Sequence, residues 1–311
     1  PGSRMSADVI IMLKMTSLEG YKYVLLLEDN ASKYVWSFPL KDRTAPEILA
    51  QLKTLLTHDL PALGIQLEHF HSDGGSELIS ELVRTFLHAK GITTSHTPRD
   101  TPEMNSLLER KVRDLKERVM SMLLHSTLPV SFWWMAWKTA CYLQNRMPTV
   151  TAYGYMTPFE NVRGIPPSLK RLRIWGCKAY VLKPKAVRRK DFDDKAYSGF
   201  HAGYADDDRG YEIYIPELDK IVTSVHVLFN EVIPNPTDEY YRELQRLKIV
   251  TSEGPPRDPA TYQYLVGLDH LDDEDGLTYK VTRVEQMKGY IAAYRRLVTP
   301  RAGDTREELV P

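Results

Sequence analysis

Cysteine is nearly missing from this sequence: 311 residues hold two, Cys141 and Cys177. That is too few for a disulfide framework, and the pair lacks the spacing of a zinc site. Both read as small buried apolar residues. No stretch approaches the ~20 apolar residues that a bilayer span requires, and no basic segment leads into a hydrophobic one. A secreted disulfide scaffold and a membrane protein are set aside, and a soluble intracellular protein is expected. The chain starts with Pro1 in place of Met, which predicts a fragment or processed product.

Net charge is missing too, with 41 Lys and Arg against 41 Asp and Glu. A neutral total ordinarily argues against a nucleic-acid partner, yet the charge is segregated along the chain. Residues 1–109 carry 10 basic and 14 acidic side chains, residues 110–195 carry 18 and 6, and residues 196–311 carry 13 and 21. A block of +12 therefore lies between ends of −4 and −8. Such a block is the footprint of phosphate neutralisation, and binding through it weakens steeply with salt. Also absent are G-x-S-x-G, Walker and dinucleotide fingerprints. The acidic run before Gly276 imitates a calcium loop, but it puts Leu271 and Thr282 where carboxylate ligands are required.

What is present begins with hydrophobic patterning, which at 42% of residues supports ordinary cores in two or three domains. Strand-like runs fall at Val9 to Met15, Tyr21 to Leu27 and Lys33 to Phe38. A helix follows from Ala45 to His58, with Ile48, Leu49, Leu52, Leu55 and Leu56 as its apolar face. After Gly64 the spacing predicts a strand to His71, then a helix from Ser76 to Ala89 ending at Gly91. A right-handed crossover would set the first and fourth strands side by side. Residues 131–146 concentrate Trp133, Trp134, Trp137 and Tyr142. A buried core or subunit contact explains them better than a membrane-surface helix or a base-stacking platform. Further on, Trp175 to Lys183, Tyr211 to Ile215 and Lys220 to Phe229 alternate as strands of a small barrel.

Three carboxylates fall at the ends of these elements. Asp8 heads the apolar run Val9 to Leu13, which reads as a buried strand. Asp73 enters a Gly-Gly turn after Ile65, Leu67 and Phe70. Glu109 lies beyond thirty-five intervening residues, near the start of a basic amphipathic helix with Leu108, Val112, Leu115, Val119 and Met122 facing inward. Like charges held close raise one another's pKa unless a cation is present, so a cluster would imply a hard metal with oxygen ligands, of which Mg2+ is the phosphoryl-transfer ion. Spacing alone also admits an ordinary reading, in which Asp73 caps a turn and Glu109 sits in a favourable first helical turn. The helix displays Arg110, Lys111, Arg113, Lys116 and Arg118, and the loop before it carries Arg99. A connector from Arg163 to Lys195 adds Lys170, Arg171, Arg173, Arg188, Arg189 and Lys190. Basic helix faces are usually just solvated, but beside a metal site for phosphodiesters they become backbone contacts.

The residues around these acids resemble the integrase of copia-type LTR retrotransposons. GYKYVLLLEDNASKYVWSFPLKDR resembles the family's second and third strands, HSDGGSEL its second-Asp turn, and TPEMNSLLERKVRDLKERVMSML its catalytic helix. LPVSFWWMAWKTACYLQNRMPT, LRIWGCKAYVLKP and FHAGYADDDRGYEIYIPELDKIVTSVHVLFNE resemble later blocks in the family's order. The likeness runs from about Ser6 to Glu231. It implies an α/β, ribonuclease-H-like mixed sheet with flanking helices over residues 1–165 and a small SH3-like β domain over 166–235. A linker over 236–258 and a C-terminal extension or small module over 259–311 would follow. It further implies a DDE polynucleotidyl transferase in which Asp8, Asp73 and Glu109 bind Mg2+, with Mn2+ as substitute. Double-stranded DNA, as element ends and target, would be its partner, acted on in the nucleus by a homo-oligomer without a membrane or small-molecule cofactor. The chain departs from the family at Ile11 and Met12, where Gly-Pro is usual, and at Gly74 and Ser76 in the second turn. These departures keep two alternatives open: a DNA-binding or assembly protein retaining the fold without catalysis, and a related metal nuclease.

Overall fold

The computed structural model describes residues 2–12, 16–96, 106–126, 128–184, 195–205 and 209–231. Arg99, Arg188, Arg189 and Lys190, together with the linker and C-terminal unit expected after residue 235, lie outside the described residues.

The first sheet opens with three antiparallel strands, β1 (Arg4–Ile11), β2 (Tyr23–Asp29) and β3 (Val35–Leu40). Helix α1 (Ala45–Thr54), a π turn and the short α2 (Leu60–Ala62) carry the chain back to β4 (His69–Ser72). Helix α3 (Glu81–Ala89) then leads to β5 (Thr93–His96). The order is β3-β2-β1-β4-β5, with β1 parallel to β4 and β4 parallel to β5. The first and fourth strands are neighbours as the crossover requires, and this is the ribonuclease-H-like arrangement.

Two element starts differ most from the pattern-based expectation. The apolar run starting at Val9 suggested a strand beginning there, but β1 starts five residues earlier, at Arg4. Met5, Ala7 and Val9 are buried on one face while Arg4, Ser6 and Asp8 alternate onto the other, the period-two pattern of a strand with unlike faces. Asp8 thus sits inside the strand. The helix expected from Ser76 starts at Glu81, because Ser80 caps it by accepting from the Val83 N–H at 3.5 Å. Residues 76–79 wrap instead around Gly75, whose carbonyl accepts from Leu78 and Ile79.

Both faces of the sheet are covered. Met5, Ala7, Leu25 and Leu27 pack with Ile48 and Leu52 of α1 and Val83 and Leu87 of α3. On the opposite face Ile10, Val24 and Leu26 meet α4 (Ser106–His125) and α5 (Trp133–Arg146) through Leu115, Val119, Leu123, Trp133 and Trp137. Trp133 and Trp137 are fully buried, and among the described residues no helix is long and apolar enough to cross a membrane.

A short hairpin, β6 (Thr149–Thr151) and β7 (Gly154–Met156), and helix α6 (Pro158–Arg163) connect to a second sheet. It comprises β8 (Lys178–Leu182), β9 (Ala196–Tyr204), β10 (Tyr211–Ile215), β11 (Lys220–Ser224) and β12 (Val227–Asn230), in the antiparallel order β11-β10-β9-β8-β12. The run from Lys220 to Phe229 is two strands rather than one. It breaks at Val225 and His226, where the His226 N–H donates to Ser224 Oγ at 3.2 Å, and its halves join opposite edges of the sheet.

The second sheet sits on α5. Trp175 and Ala202 belong to the same core as the α5 tryptophans, the Trp175 Nε1–H donates to the Ala202 carbonyl at 2.8 Å, and Lys138 of α5 pairs with Glu212 of β10 at 2.9 Å. Gly176 makes the approach possible. It has φ of 77°, and a Cβ there would stand 2.3 Å from Ser126 Cβ, so no other residue fits.

Asn145 ties α5 to the edge strand β3. Its Oδ1 accepts from the Val35 N–H at 2.8 Å and its Nδ2 donates to the Val35 carbonyl at 2.9 Å, both in the interior. Asn145→Ala leaves both backbone groups without these partners and is expected to cost about 2–4 kcal/mol, read as a lowered denaturant midpoint with an unchanged slope.

Candidate functional site

The parallel register of β1 and β4 pairs Ala7 with Ser72, so Asp8, next in β1, and Asp73, the first residue after β4, follow the last pair. Burial, and then the charge of Asp73, raise the Asp8 pKa from 3.8 to about 6. Asp73 is also raised, mainly by burial, although the Gly75 N–H donates to its Oδ1 at 3.3 Å. The pair is held as two desolvated like charges, an arrangement that gains by accepting a proton or a cation. Beneath it, buried His71 has its Nδ1 2.8 Å from Ser95 Oγ of β5.

Helix α4 brings two more charges to Asp8. Glu109, exposed in the first turn, raises the Asp8 pKa, and Lys116 lowers it. The two are seven residues apart, two turns along one helix face. Lys116 itself has a lowered pKa, caused chiefly by burial and opposed by Asp8. Among the described residues, no three His, Cys, Asp or Glu side chains converge closely enough to hold a metal ion. The structure therefore joins Asp8 with Asp73 and leaves Glu109 at the margin, within electrostatic reach. The donor set fits a hard divalent cation: oxygens only, half-buried and mutually repelling.

The basic residues divide by environment. Arg110 and Arg113 are exposed on α4. Lys111 turns inward, 3.7 Å from Glu28 Oε2, and Glu28 also lies 3.4 Å from Lys33. Arg118 donates from Nη1 to Gln144 Oε1 at 2.6 Å. Beyond the core, Lys170 is exposed, while Arg171 stacks over Tyr211 at 5.1 Å and Arg173 over Phe229 at 5.5 Å.

Two residues at the site carried no expectation from sequence. Glu77, four positions after Asp73, is buried and its Oε1 accepts from Arg43 Nε at 2.7 Å and from Arg43 Nη2. An acid in an otherwise small, apolar-flanked turn was the available signal for Glu77. Arg43, thirty-four residues away in sequence, gave none.

Comparison with known proteins follows the same division of the chain. The family model described as integrase core domain matches residues 1–102, and that described as retroviral polymerase SH3-like domain matches residues 177–240. The chain is 32% identical over 226 residues to the retrovirus-related Pol polyprotein from transposon TNT 1-94 of Nicotiana tabacum, covering 72% of this chain and 17% of that one. It is 31% identical over 218 residues to the corresponding polyprotein from transposon RE2 of Arabidopsis thaliana, covering 69% and 14%. The chain thus spans about a sixth of the length of these relatives. Among solved structures, the integrase catalytic core domain of HTLV-2 in complex with magnesium (trimeric form) aligns with a TM-score of 0.39 at 21% identity, covering 52% of this chain and 97% of that one. The chain carries an integrase core domain followed by a retroviral SH3-like domain, and it is related to the Pol polyproteins of copia-type plant retrotransposons.

Proposed function

We propose that this chain is the integrase of a retrotransposon polyprotein, a polynucleotidyl transferase that processes the ends of element DNA and joins them to target DNA. One observation carries the reading: Asp8 in β1 and Asp73, directly after the adjacent parallel strand β4, are both raised in pKa by burial, with Glu109 and Lys116 of α4 in electrostatic reach of Asp8. We assign the catalytic core to residues 1–165 and the SH3-like domain to residues 166–235.

Asp8 and Asp73 are the residues that would hold Mg2+, or Mn2+ in its place, with Glu109 completing the set from the first turn of α4. Bound there, the cations supply activation of the attacking oxygen and neutralisation of charge on the phosphate and leaving oxygen. The chain's own part is placement. Lys116, half-buried beside Asp8, presents a cation to a phosphate that approaches the carboxylates. Arg110 and Arg113, exposed on the same helix, contact phosphates further along the duplex. A water oxygen bonds to phosphorus as a P–O bond of the element end breaks, leaving a 3′-hydroxyl. That hydroxyl then attacks a target phosphodiester and displaces another 3′-oxygen, so no covalent enzyme intermediate is required. Double-stranded DNA in the nucleus is the proposed partner and place of action, and a homo-oligomer the acting species.

A second reading, a DNA-binding or assembly protein that keeps the fold without catalysis, is favoured by the position of Glu109 outside any three-ligand cluster among the described residues. Strand-transfer assays with labelled duplex ends in Mg2+ and Mn2+ separate the two. Joined products from the parent, reduced at least about a thousandfold in Asp73→Asn and Glu109→Gln, are expected for the integrase. Salt-sensitive DNA binding with no joining in any form supports the second reading, and cleavage without joining supports a nuclease.

Proton and cation compete for Asp8. A folded-state pKa of about 6 against 3.8 means that the proton bound by Asp8 stabilises the metal-free fold. The gain is full below pH 3.8 and lost as pH rises through about 6. It amounts to about 3 kcal/mol. Asp8→Asn is expected to flatten the metal-free stability profile between these pH values and to raise stability at pH 7. Thermal melts across pH, in chelator, are the measurement.

A further inference from the structure

The pair formed by Arg43 and Glu77 stands next to Asp73 and has no part in the proposed reaction. Arg43 lies between the end of β3 and the start of α1, Glu77 in the turn after β4. The Glu77 side chain is 6% exposed and the Arg43 side chain 38%, so the guanidinium reaches in from the surface. It grips one carboxylate oxygen, Oε1, with both Nε and Nη2, while Ser76 Oγ donates to the other oxygen at 3.3 Å. Such charge-assisted, doubly donated contacts fix geometry as well as charge.

Gly75 shows how close the two carboxylates are. A Cβ on Gly75 would stand 3.1 Å from Asp73 Oδ1 and 3.5 Å from Glu77 Oε2. Both acids therefore border the same small volume, and the turn is closed over it by bonds from the Leu78 and Ile79 N–H groups to the Gly75 carbonyl and from Ser80 Oγ to the Glu77 carbonyl. The Arg43 charge acts on Asp73 as well as on Glu77, and favours the ionised carboxylate at each. Two acceptors compete for one guanidinium across a glycine, and Glu77 holds it.

We infer that Glu77 is a positioning residue that keeps the Arg43 guanidinium away from Asp73, so that the Asp73 carboxylate stays open to a divalent cation. The inference rests on the proposed reading of Asp8 and Asp73 as cation ligands. An arginine that moved onto Asp73 would satisfy the carboxylate with a charge that cannot be removed at any working pH, and would close the site without altering a ligand.

The test is Mn2+ binding to the full chain, followed by electron paramagnetic resonance, in a double-mutant cycle. Glu77→Gln, which frees Arg43, is expected to weaken Mn2+ binding at least about tenfold. Arg43→Met, which removes the competitor together with the grip, and the double variant are both expected within about threefold of the parent. Restoration by the second substitution is the signature that a merely scaffolding role would not produce, since loss of a scaffold leaves the double variant as weak as Glu77→Gln. Such equal weakening, or unchanged binding in Glu77→Gln, overturns the inference. If Glu77→Gln does not fold by thermal melt, Glu77→Asp takes its place, with an intermediate loss that Arg43→Met again reverses. A parent that binds Mn2+ no better than Asp73→Asn overturns the metal reading of the site and this inference with it, and the two failures are thereby distinguished.

Discussion

Two aspartates forced side by side by the parallel register of β1 and β4 are the constraint on which the rest of the structure depends. Ala7 opposite Ser72 leaves no freedom in where Asp8 and Asp73 fall, and a slip of one residue would turn Asp8 to the other face of the sheet. Holding two like charges partly out of water is unfavourable, as the raised pKa of each records. The sheet must therefore be stabilised elsewhere. Much of that comes from the two apolar layers, and part from Asp29, fully buried, whose carboxylate accepts from the Gly2 N–H at 2.8 Å, the Ser32 N–H at 2.8 Å and the Ser32 hydroxyl at 2.5 Å. That acid fixes the β1–β2 end of the sheet through three donated hydrogen bonds. Asp8, five residues into β1, has one backbone donor, Val9, against burial and a neighbouring charge. Similar residues on one sheet are thus set to different tasks by their hydrogen bonds.

The second sheet extends this rigidity rather than hanging from a tether. Its β9 and β10 face α5 through Ala202, Phe200 and Tyr214, and Phe132 and Tyr214 meet edge to face at 4.7 Å between centroids. Helix α5 is consequently covered by β3 on one side and by β9 on the other. The same tryptophan-rich helix thus packs against both sheets.

Much of this arrangement was legible in the sequence, for reasons of period. The strands and helices of the first sheet follow from alternation and from 3.6-residue spacing, and the pairing of the first and fourth strands from the handedness of the crossover. The start of β1 was obscured because Val9 to Leu13 is so apolar that it outshone the alternation of Met5, Ala7 and Val9 just before it. The break at Val225 and His226 escaped because both residues suit a strand, and only the competition between two sheet edges divides them. Packing partners were less legible: the four aromatics of residues 131–146 announce burial without saying against what. At the site, Asp8 and Asp73 are marked by the strands that deliver them. The Arg43–Glu77 contact joins residues from different connections, and no periodicity links them.

The basic block shows most clearly how composition misleads about function. A surplus of +12 over residues 110–195 suggests a broad phosphate-binding surface, yet several of its charges face inward. Lys111 lies three residues after Leu108 and four before Leu115, inside the apolar stripe of α4, and its ammonium meets buried Glu28. Lys138 meets Glu212 at the junction of the sheets, and Arg146 lies 3.4 Å over the Tyr142 ring and 4.7 Å from that of Phe159. Counterions released on DNA binding come only from charges that phosphate can reach. For the proposed DNA binding, the charges available to phosphate are therefore the exposed set, Arg110, Arg113 and Lys170 among them, rather than the whole surplus. Helical pitch is what sorts α4: Arg110 and Arg113 project outward, Lys111 inward, and Lys116 shares the face of Glu109 and looks toward Asp8. One helix thus contributes a surface stripe, an internal ion pair and a cation at the carboxylates, and the order of its residues decides which charge does which.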